Sequence, residues 1–290
     1  IFSWSETGDL PQSIGYGAGA GSVTAFVQFG GAGTNKSGSL EFNGSTWTVT
    51  NALAAGRYSL AGAGTQNAAL AFGGDFSPSG TPSYYRGCTE EYDGTTWSEV
   101  NNMITGRGQK AGSGTQNSAI SLGGLPSLSA TEEYDGTTWA AGTNLLDEKQ
   151  RHMSVGTVNS ALESGGSSPG AVGQTNEYDG VSWFTAGSLI TARINLAGAG
   201  SQDSALAIGG NPSALTEEYT GYLPVSASFG KIIATSIVAD ASRLDNTVLP
   251  GTVSGSAQIA ADISGSFNKG FSFSGTISGS STSTASFGQL

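Results

Sequence analysis

Gly123-Gly124 followed by Tyr134-Asp135-Gly136-Thr137-Thr138-Trp139 is the stretch that decides the fold, because the chain repeats it. Gly73-Gly74 leads to Tyr92-Asp93-Gly94-Thr95-Thr96-Trp97, and Gly165-Gly166 leads to Tyr178-Asp179-Gly180-Val181-Ser182-Trp183. Gly30-Gly31 leads to Phe42-Asn43-Gly44-Ser45-Thr46-Trp47, and after Gly209-Gly210 a worn copy reads Tyr219-Thr220-Gly221-Tyr222. The tryptophans at 4, 47, 97, 139 and 183 are spaced by 43, 50, 42 and 44 residues. Self-similarity near that period marks the blades of a radial array. A residue that returns at one register in every copy serves the architecture first.

Each unit reads as four short strands. The first is small and Gly-rich, as in Gly17-Ala18-Gly19-Ala20-Gly21, Ala61-Gly62-Ala63-Gly64 and Ala197-Gly198-Ala199-Gly200. The second is apolar and ends at Gly-Gly, the third is Thr-Glu-Glu-Tyr or a variant, and the fourth carries the Trp. The Asp-Gly step between the third and fourth predicts a two-residue hairpin, since both residues tolerate positive φ. Alternation then sets Tyr92, Tyr134, Tyr178, Tyr219 and the tryptophans between neighbouring sheets. The Gly/Ala strand belongs innermost, where blades converge and only small residues let backbones approach. Ile1-Phe2-Ser3-Trp4 is a fourth strand without its third, and Thr216-Glu217-Glu218-Tyr219 is a third without its fourth. Together they complete one blade. The expectation is an all-β chain with a five-bladed propeller over residues 1–222, closed by its first and last strands, which removes open sheet edges.

From Leu223 the Asp-Gly turns, Trp and Gly-Gly vanish, and Ser, Thr, Ala, Ile and isolated Gly take over. Ala227-Ser228-Phe229-Gly230 returns as Ala285-Ser286-Phe287-Gly288. Runs such as Lys231-Ile232-Ile233-Ala234-Thr235-Ser236-Ile237-Val238 read as strands. The segment is too short and too poor in large apolar residues for a sizeable core of its own. Residues 223–290 are therefore expected to form a β-rich stalk or docking element that oligomerises. Ile1 is no initiator Met, so the sequence reads as a piece of a longer or processed protein.

Gly-Gly, an aromatic, and Trp five positions later resemble the kelch pattern of galactose-oxidase-like propellers. The wording Ala-Gly-Ala-Gly-Thr-Gln-Asn-Ala-Ala-Leu-Ala-Phe-Gly-Gly, with Thr-Glu-Glu-Tyr-Asp-Gly-Thr-Thr-Trp, resembles kelch-like repeats in virion proteins of marine and cyanobacterial tailed phages. That resemblance covers roughly three quarters of the chain. It implies a virion-surface or extracellular structural protein: a tail fibre, spike or capsid appendage. Departures are the lost Trp of the fifth repeat and a long insertion in the second.

Composition narrows the function classes. Charged residues are only 11% and glycine is 46 of 290, which fits an extracellular β-rich repeat protein. The net charge of −11 and the absence of a basic stripe argue against nucleic acid and against an anionic membrane surface. No run of some 18 apolar residues exists, so no membrane-inserted helix is expected. The single cysteine, Cys88, excludes an internal disulfide and a Cys-His zinc site. Copper chemistry of the galactose-oxidase kind needs several histidines, and His152 stands alone. No metal and no cofactor are expected.

Glu90-Glu91, Glu132-Glu133 and Glu217-Glu218 evoke the paired carboxylates of glycosidases. Neighbouring strand residues point to opposite faces, so a pair would not act together. Arg57, Arg107, Arg151 and Arg193 recur before the inner strand and are expected to form ion pairs or backbone hydrogen bonds to a neighbouring blade, through its third-strand glutamates. Gly166-Ser167-Ser168-Pro169-Gly170 matches a nucleophile-elbow pattern but has no helix behind it. The four arginines, with Tyr92, Tyr134, Tyr178, Tyr219, Trp4, Trp47, Trp97, Trp139 and Trp183, are structural repeat positions. No catalytic residue is assigned.

One feature escapes the repeat. The second unit carries Asp75-Phe76-Ser77-Pro78-Ser79-Gly80-Thr81-Pro82-Ser83-Tyr84-Tyr85-Arg86-Gly87 between its second and third strands. Loops on rigid scaffolds commonly hold binding sites. Tyr84, Tyr85 and Arg86 are the candidate residues for stacking on a sugar or anchoring a subunit. The reading that results is a non-enzymatic display protein. Its partners would be other virion or filament subunits and a host glycan or receptor. The alternatives are a bacterial surface filament or adhesin and a glycan-degrading tailspike. The tailspike would need an off-register carboxylate pair in a cleft, and none is found: Asp147 and Glu148 lie off-register but are adjacent in sequence.

Overall fold

The computed structural model describes residues 7–33, 35–76, 84–126 and 129–221. Their regular structure is all β, in a five-bladed propeller. Blade 1 is β1 (Ala18–Ser22), β2 (Ala25–Phe29), β3 (Ser39–Phe42) and β4 (Trp47–Thr50). Blade 2 is β5 (Ala61–Thr65), β6 (Ala68–Phe72), β9 (Thr89–Tyr92) and β10 (Trp97–Val100), with the small hairpin β7 (Asp75–Phe76) and β8 (Tyr84–Tyr85) inserted. Blade 3 is β11 (Ala111–Thr115), β12 (Ser118–Leu122), β13 (Thr131–Tyr134) and β14 (Trp139–Ala141). Blade 4 is β15 (Met153–Thr157), β16 (Ser160–Ser164), β17 (Thr175–Tyr178) and β18 (Trp183–Ala186). Blade 5 is β19 (Ala197–Gly200), β20 (Ser204–Ile208) and β21 (Thr216–Thr220).

The inner strands β1, β5, β11, β15 and β19 follow one another around the axis; β15, Met-Ser-Val-Gly-Thr, departs from the expected small composition by burying Met153 and Val155. Close approach explains their composition. A Cβ on Gly62 would lie 2.6 Å from Phe29 Cζ, and one on Gly112 would lie 2.4 Å from Phe72 Cζ. The aromatic that ends one blade's second strand thus presses on the next blade's inner backbone, which only glycine allows.

Between blades, Trp97 packs on Phe29 at 4.8 Å and Trp139 on Phe72 at 5.0 Å, while each also leans on the tyrosine of its own hairpin. Such ring pairs contribute about 0.5–1.5 kcal/mol beyond burial alone. Polar contacts fix the same interfaces. The hydroxyls of Tyr92, Tyr134, Tyr178 and Tyr219 donate to Glu41, Glu91, Glu133 and Glu177 of the preceding blade, at 2.5–2.8 Å. Burial, then the carboxylate, pushes the Tyr92 and Tyr178 phenols up to about 12. Gln66, Gln116 and Gln202 donate from the inner hairpin to two carbonyls of the preceding blade.

The Asp-Gly turn differs from the expected two-residue hairpin. The strands pair through Tyr92 and Trp97, and the loop between them is four residues, 93–96. Only Gly94 has positive φ, at 88°, so Asp93 does not share the left-handed conformation. Instead Asp93 Oδ1 accepts from the backbone N of Thr95 at 2.8 Å and Thr96 at 2.7 Å. A carboxylate closes the turn from the side, and those amides hold it below its ordinary pKa. Asn43, Asp135 and Asp179 repeat the device.

Blade 5 stands apart. β19 is exposed along its length, whereas β5 and β11 bury alternate residues. Between blades 4 and 5 runs a cleft of about 310 Å³, bounded by Leu162, Ser164, Leu189 and Thr216. By repeat register this is the position filled at the earlier interfaces by Trp97, Trp139 and Trp183. The residue the repeat would put there is Trp4, which lies fourteen residues before Ala18, as Trp47 lies before Ala61. The expected strand at residues 1–4, its pairing with β21, and Trp4 itself lie outside the described residues. The chain divides into Ile1–Ser226 and Ala227–Leu290, and the second unit, with the expected β-rich stalk, also lies outside them.

Candidate functional site

The segment entering each inner strand holds two registers with different work. The first is buried and charged. Arg57 pairs with Glu90 at 2.5 Å, Arg107 with Glu132 at 3.1 Å and Arg193 with Glu217 at 3.0 Å. Each pair lies within its own blade and not across to a neighbouring one, as the sequence spacing had it, because the linker that carries the cation runs beside its own blade's third strand. The same guanidiniums donate to carbonyls at the ends of the second and third strands: Gly123 and Ala130 for Arg107, Gly209 and Leu215 for Arg193. Glu132 also accepts from the backbone N of Ile104 at 2.8 Å and Thr105 at 3.2 Å. The acid thus receives the incoming linker and the base ties the loop behind it.

In blade 4 the cation is Lys149, at 2.9 Å from Glu163, and not Arg151 as the sequence spacing had it. The bridges Gly108↔Leu125 and Gln150↔Ser167 fix the alignment, which sets Lys149 beside Arg107 in register and moves Arg151 two positions on. The acid has moved as well. Asn176 takes the third-strand glutamate position, and Glu163 supplies the charge from the neighbouring strand, where the two are ladder partners. Asn176 donates to Glu163 at 2.5 Å, so the displaced carboxylate keeps a full set of donors. In blade 1 the register holds Ile14 and Leu40, both apolar. Both members of the pair change together, as expected when one buried charge without the other is costly.

The second register lies two residues further along and holds Tyr16, Ser59, Gln109, Arg151 and Asn195. All five are left-handed, with φ of 57°, 52°, 55°, 58° and 55°. The backbone N of Ser59, Gln109, Arg151 and Asn195 donates to the carbonyl of the preceding member, at 2.7–3.1 Å. These bonds run from blade to blade around the axis. Left-handed backbone in residues other than glycine is strained by about 1–2 kcal/mol each.

The ring lines a cavity of about 380 Å³ at the axis, on the face that carries the linkers and the second-to-third-strand loops. Tyr58, Asp75, Tyr85, Lys110 and His152 complete its wall. Arg151 Nε donates to Gln109 Oε1 at 2.7 Å, which fixes the guanidinium plane at the wall. Burial raises the Asp75 pKa, against the pull of Lys110 and of hydrogen bonds from Ser59 and Gln109. Lys110, buried and donating to the Phe72 carbonyl at 2.8 Å, is held well below its ordinary pKa by burial, then by Arg107 and Arg57. His152 is 5% exposed, and neither ring nitrogen has a hydrogen-bond partner among the described residues. Burial, then Lys149 and Arg107, pushes it down to about 3, so its imidazole is neutral.

The insertion contributes unevenly. Tyr85 pairs with Asp75 and reaches the cavity, with its phenol raised by burial and by Asp75. Tyr84 is 56% exposed and is not part of the wall. Arg86 lies over the Phe76 ring at 4.0 Å and braces the hairpin. The repeat glutamates have structural partners: Glu90 faces Arg57, and its neighbour Glu91 accepts from Tyr134. Ser167 sits in a loop and donates to Pro169 O at 2.8 Å. Cys88 is a free, half-buried thiol.

Tyr16, Ser59, Gln109 and Asn195 are absent from the sequence-level candidates. Their signal is visible once the repeats are aligned: it is the register next to the conserved cation where every copy differs. Comparison with protein-family models and with curated proteins finds no match to this chain.

Proposed function

We propose that this chain is a non-enzymatic display module at the surface of a virus particle, a kelch-like propeller that presents one face for attachment or assembly. The observation that carries the reading is the division of labour among repeat positions. Buried positions repeat one framework, while the side chains of a single axial register all differ. A catalytic reading finds no support in the repeat carboxylates, which are engaged by Arg57, Arg107, Arg193 and by the inter-blade tyrosines. The low charge content and the virion-type repeat wording support a location outside cells. Residues 223–290 would dock the propeller to sister subunits, and multivalency would turn weak contacts into firm attachment. A second reading, a bacterial surface filament, draws on β19, an edge of its sheet that is exposed along its length. Such an edge accepts a strand from another copy.

Electron cryo-microscopy of native particles or filaments containing the chain tests the two. Propeller density projecting from a tailed virion supports display. A helical polymer without a capsid replaces that reading with the filament.

A further inference from the structure

The axial ring holds five left-handed residues at one register, and only Asn195 is of a type that adopts this conformation readily. Were the turn the sole requirement, glycine or asparagine would serve in every blade. Tyr16, Ser59, Gln109 and Arg151 keep strained backbone and present different side chains to one cavity. Strain retained at a site where side-chain identity varies points to a function for those side chains.

We propose that the axial cavity is a binding site for a single sugar residue that bears a carboxylate, resting on the display reading above. Its volume, about 380 Å³, suits one small polar ring. Tyr16, 64% exposed, and Tyr85, 37% exposed, offer flat faces for the C–H side of a pyranose. Gln109 and Asn195 offer amide donors and acceptors for hydroxyls. Arg151 selects the acid. Its Nε bond to Gln109 orients a planar fork of the kind that reads carboxylates. Asp75 also lines the wall, with its pKa raised by burial. His152, with both nitrogens unpartnered at the wall, offers a further donor and acceptor.

The test is calorimetric titration of the full chain with methyl glucuronide, the methyl glycoside of N-acetylneuraminic acid, and neutral methyl glucoside. One acidic glycoside binds saturably in roughly the millimolar range, and the neutral one is weaker by roughly tenfold or more. Arg151→Gln puts the side chain of blade 3 into blade 4's register, and Tyr16→Asn puts in that of blade 5. Both therefore fold, which an unchanged melting temperature verifies. Arg151→Gln lowers acidic-glycoside affinity by roughly tenfold, Tyr16→Asn lowers affinity for the ring, and Phe184→Ala on the outer strand changes nothing. Absence of saturable binding by either acidic sugar, equal binding of the neutral one, or wild-type affinity in Arg151→Gln overturns the sugar site. Because this readout is independent of where the chain sits on a particle, its failure leaves the display reading standing, and a misplaced particle density leaves the sugar site standing.

Discussion

Two positions separated by one residue teach opposite lessons. Arg57, Arg107, Lys149 and Arg193 are fully buried, paired and nearly constant in type, and their acids follow them even when relocated to Glu163. Ser59, Gln109, Arg151 and Asn195 share one backbone conformation and nothing else. The first register is set by desolvation: a buried charge needs its partner, so mutations come in pairs. The second faces a cavity, where the side chain is free to differ and only φ is constrained. A repeat protein thus separates positions that hold the ring from positions that line its cavity.

The sharpest way to break this comparison is to split a buried pair. Arg107→Met leaves Glu132 charged and buried and lowers unfolding free energy by about 3–5 kcal/mol in urea titrations. Copying blade 1 with Arg107→Ile and Glu132→Leu together recovers part of that loss. A double variant that is worse than the single one would show that the pair is not a coupled unit.

His152 makes the next largest effect, and it depends on pH. Its folded pKa, about 3, lies below the unfolded value near 6.5, so the unfolded chain binds the extra proton in that window. Stability is full above pH 6.5 and falls as pH drops, by up to about 1.4 kcal/mol per unit. His152→Leu copies Leu60 and Leu196 of the same register and removes that slope. Parallel pH curves for the two proteins would contradict the assignment.

Removing one inter-blade hydroxyl is milder. Tyr134→Phe copies Phe42 of blade 1 and leaves Glu91 without its phenol donor, a loss of about 1–3 kcal/mol by thermal unfolding. The smallest effect is expected in the axial ring. Gln109→Gly relieves left-handed strain and leaves stability equal or raised by about 1 kcal/mol. A clear loss of stability would show that the ring side chains serve the fold, and would erase the contrast between the two registers.

Much of the fold was legible because its signals are local and repeated. Gly-Gly, Tyr-Asp-Gly and Trp recur at blade spacing, and small inner strands follow from crowding at an axis. The turn was misread because positive φ was assigned to both residues of Asp-Gly, whereas the Asp93 carboxylate satisfies the amides from outside the backbone. Arg151 was misassigned because an arginine two residues away resembles one in register; only the ladder pairing of Gln150 with Ser167 separates them. The insertion was noticed because it breaks the period, yet of Tyr84, Tyr85 and Arg86 only Tyr85 reaches the axial wall.

By itself, then, the sequence determined the strand class, the blade period and the inter-blade aromatic core, since these depend on composition and on spacing along the chain. The tertiary structure alone decided which acid meets which base and which five residues converge on the axis. The acid–base pairs join residues 14 to 33 positions apart and Gln109 meets Arg151 across 42, and their identity depends on ladder register and on the sign of φ, neither of which a linear pattern carries.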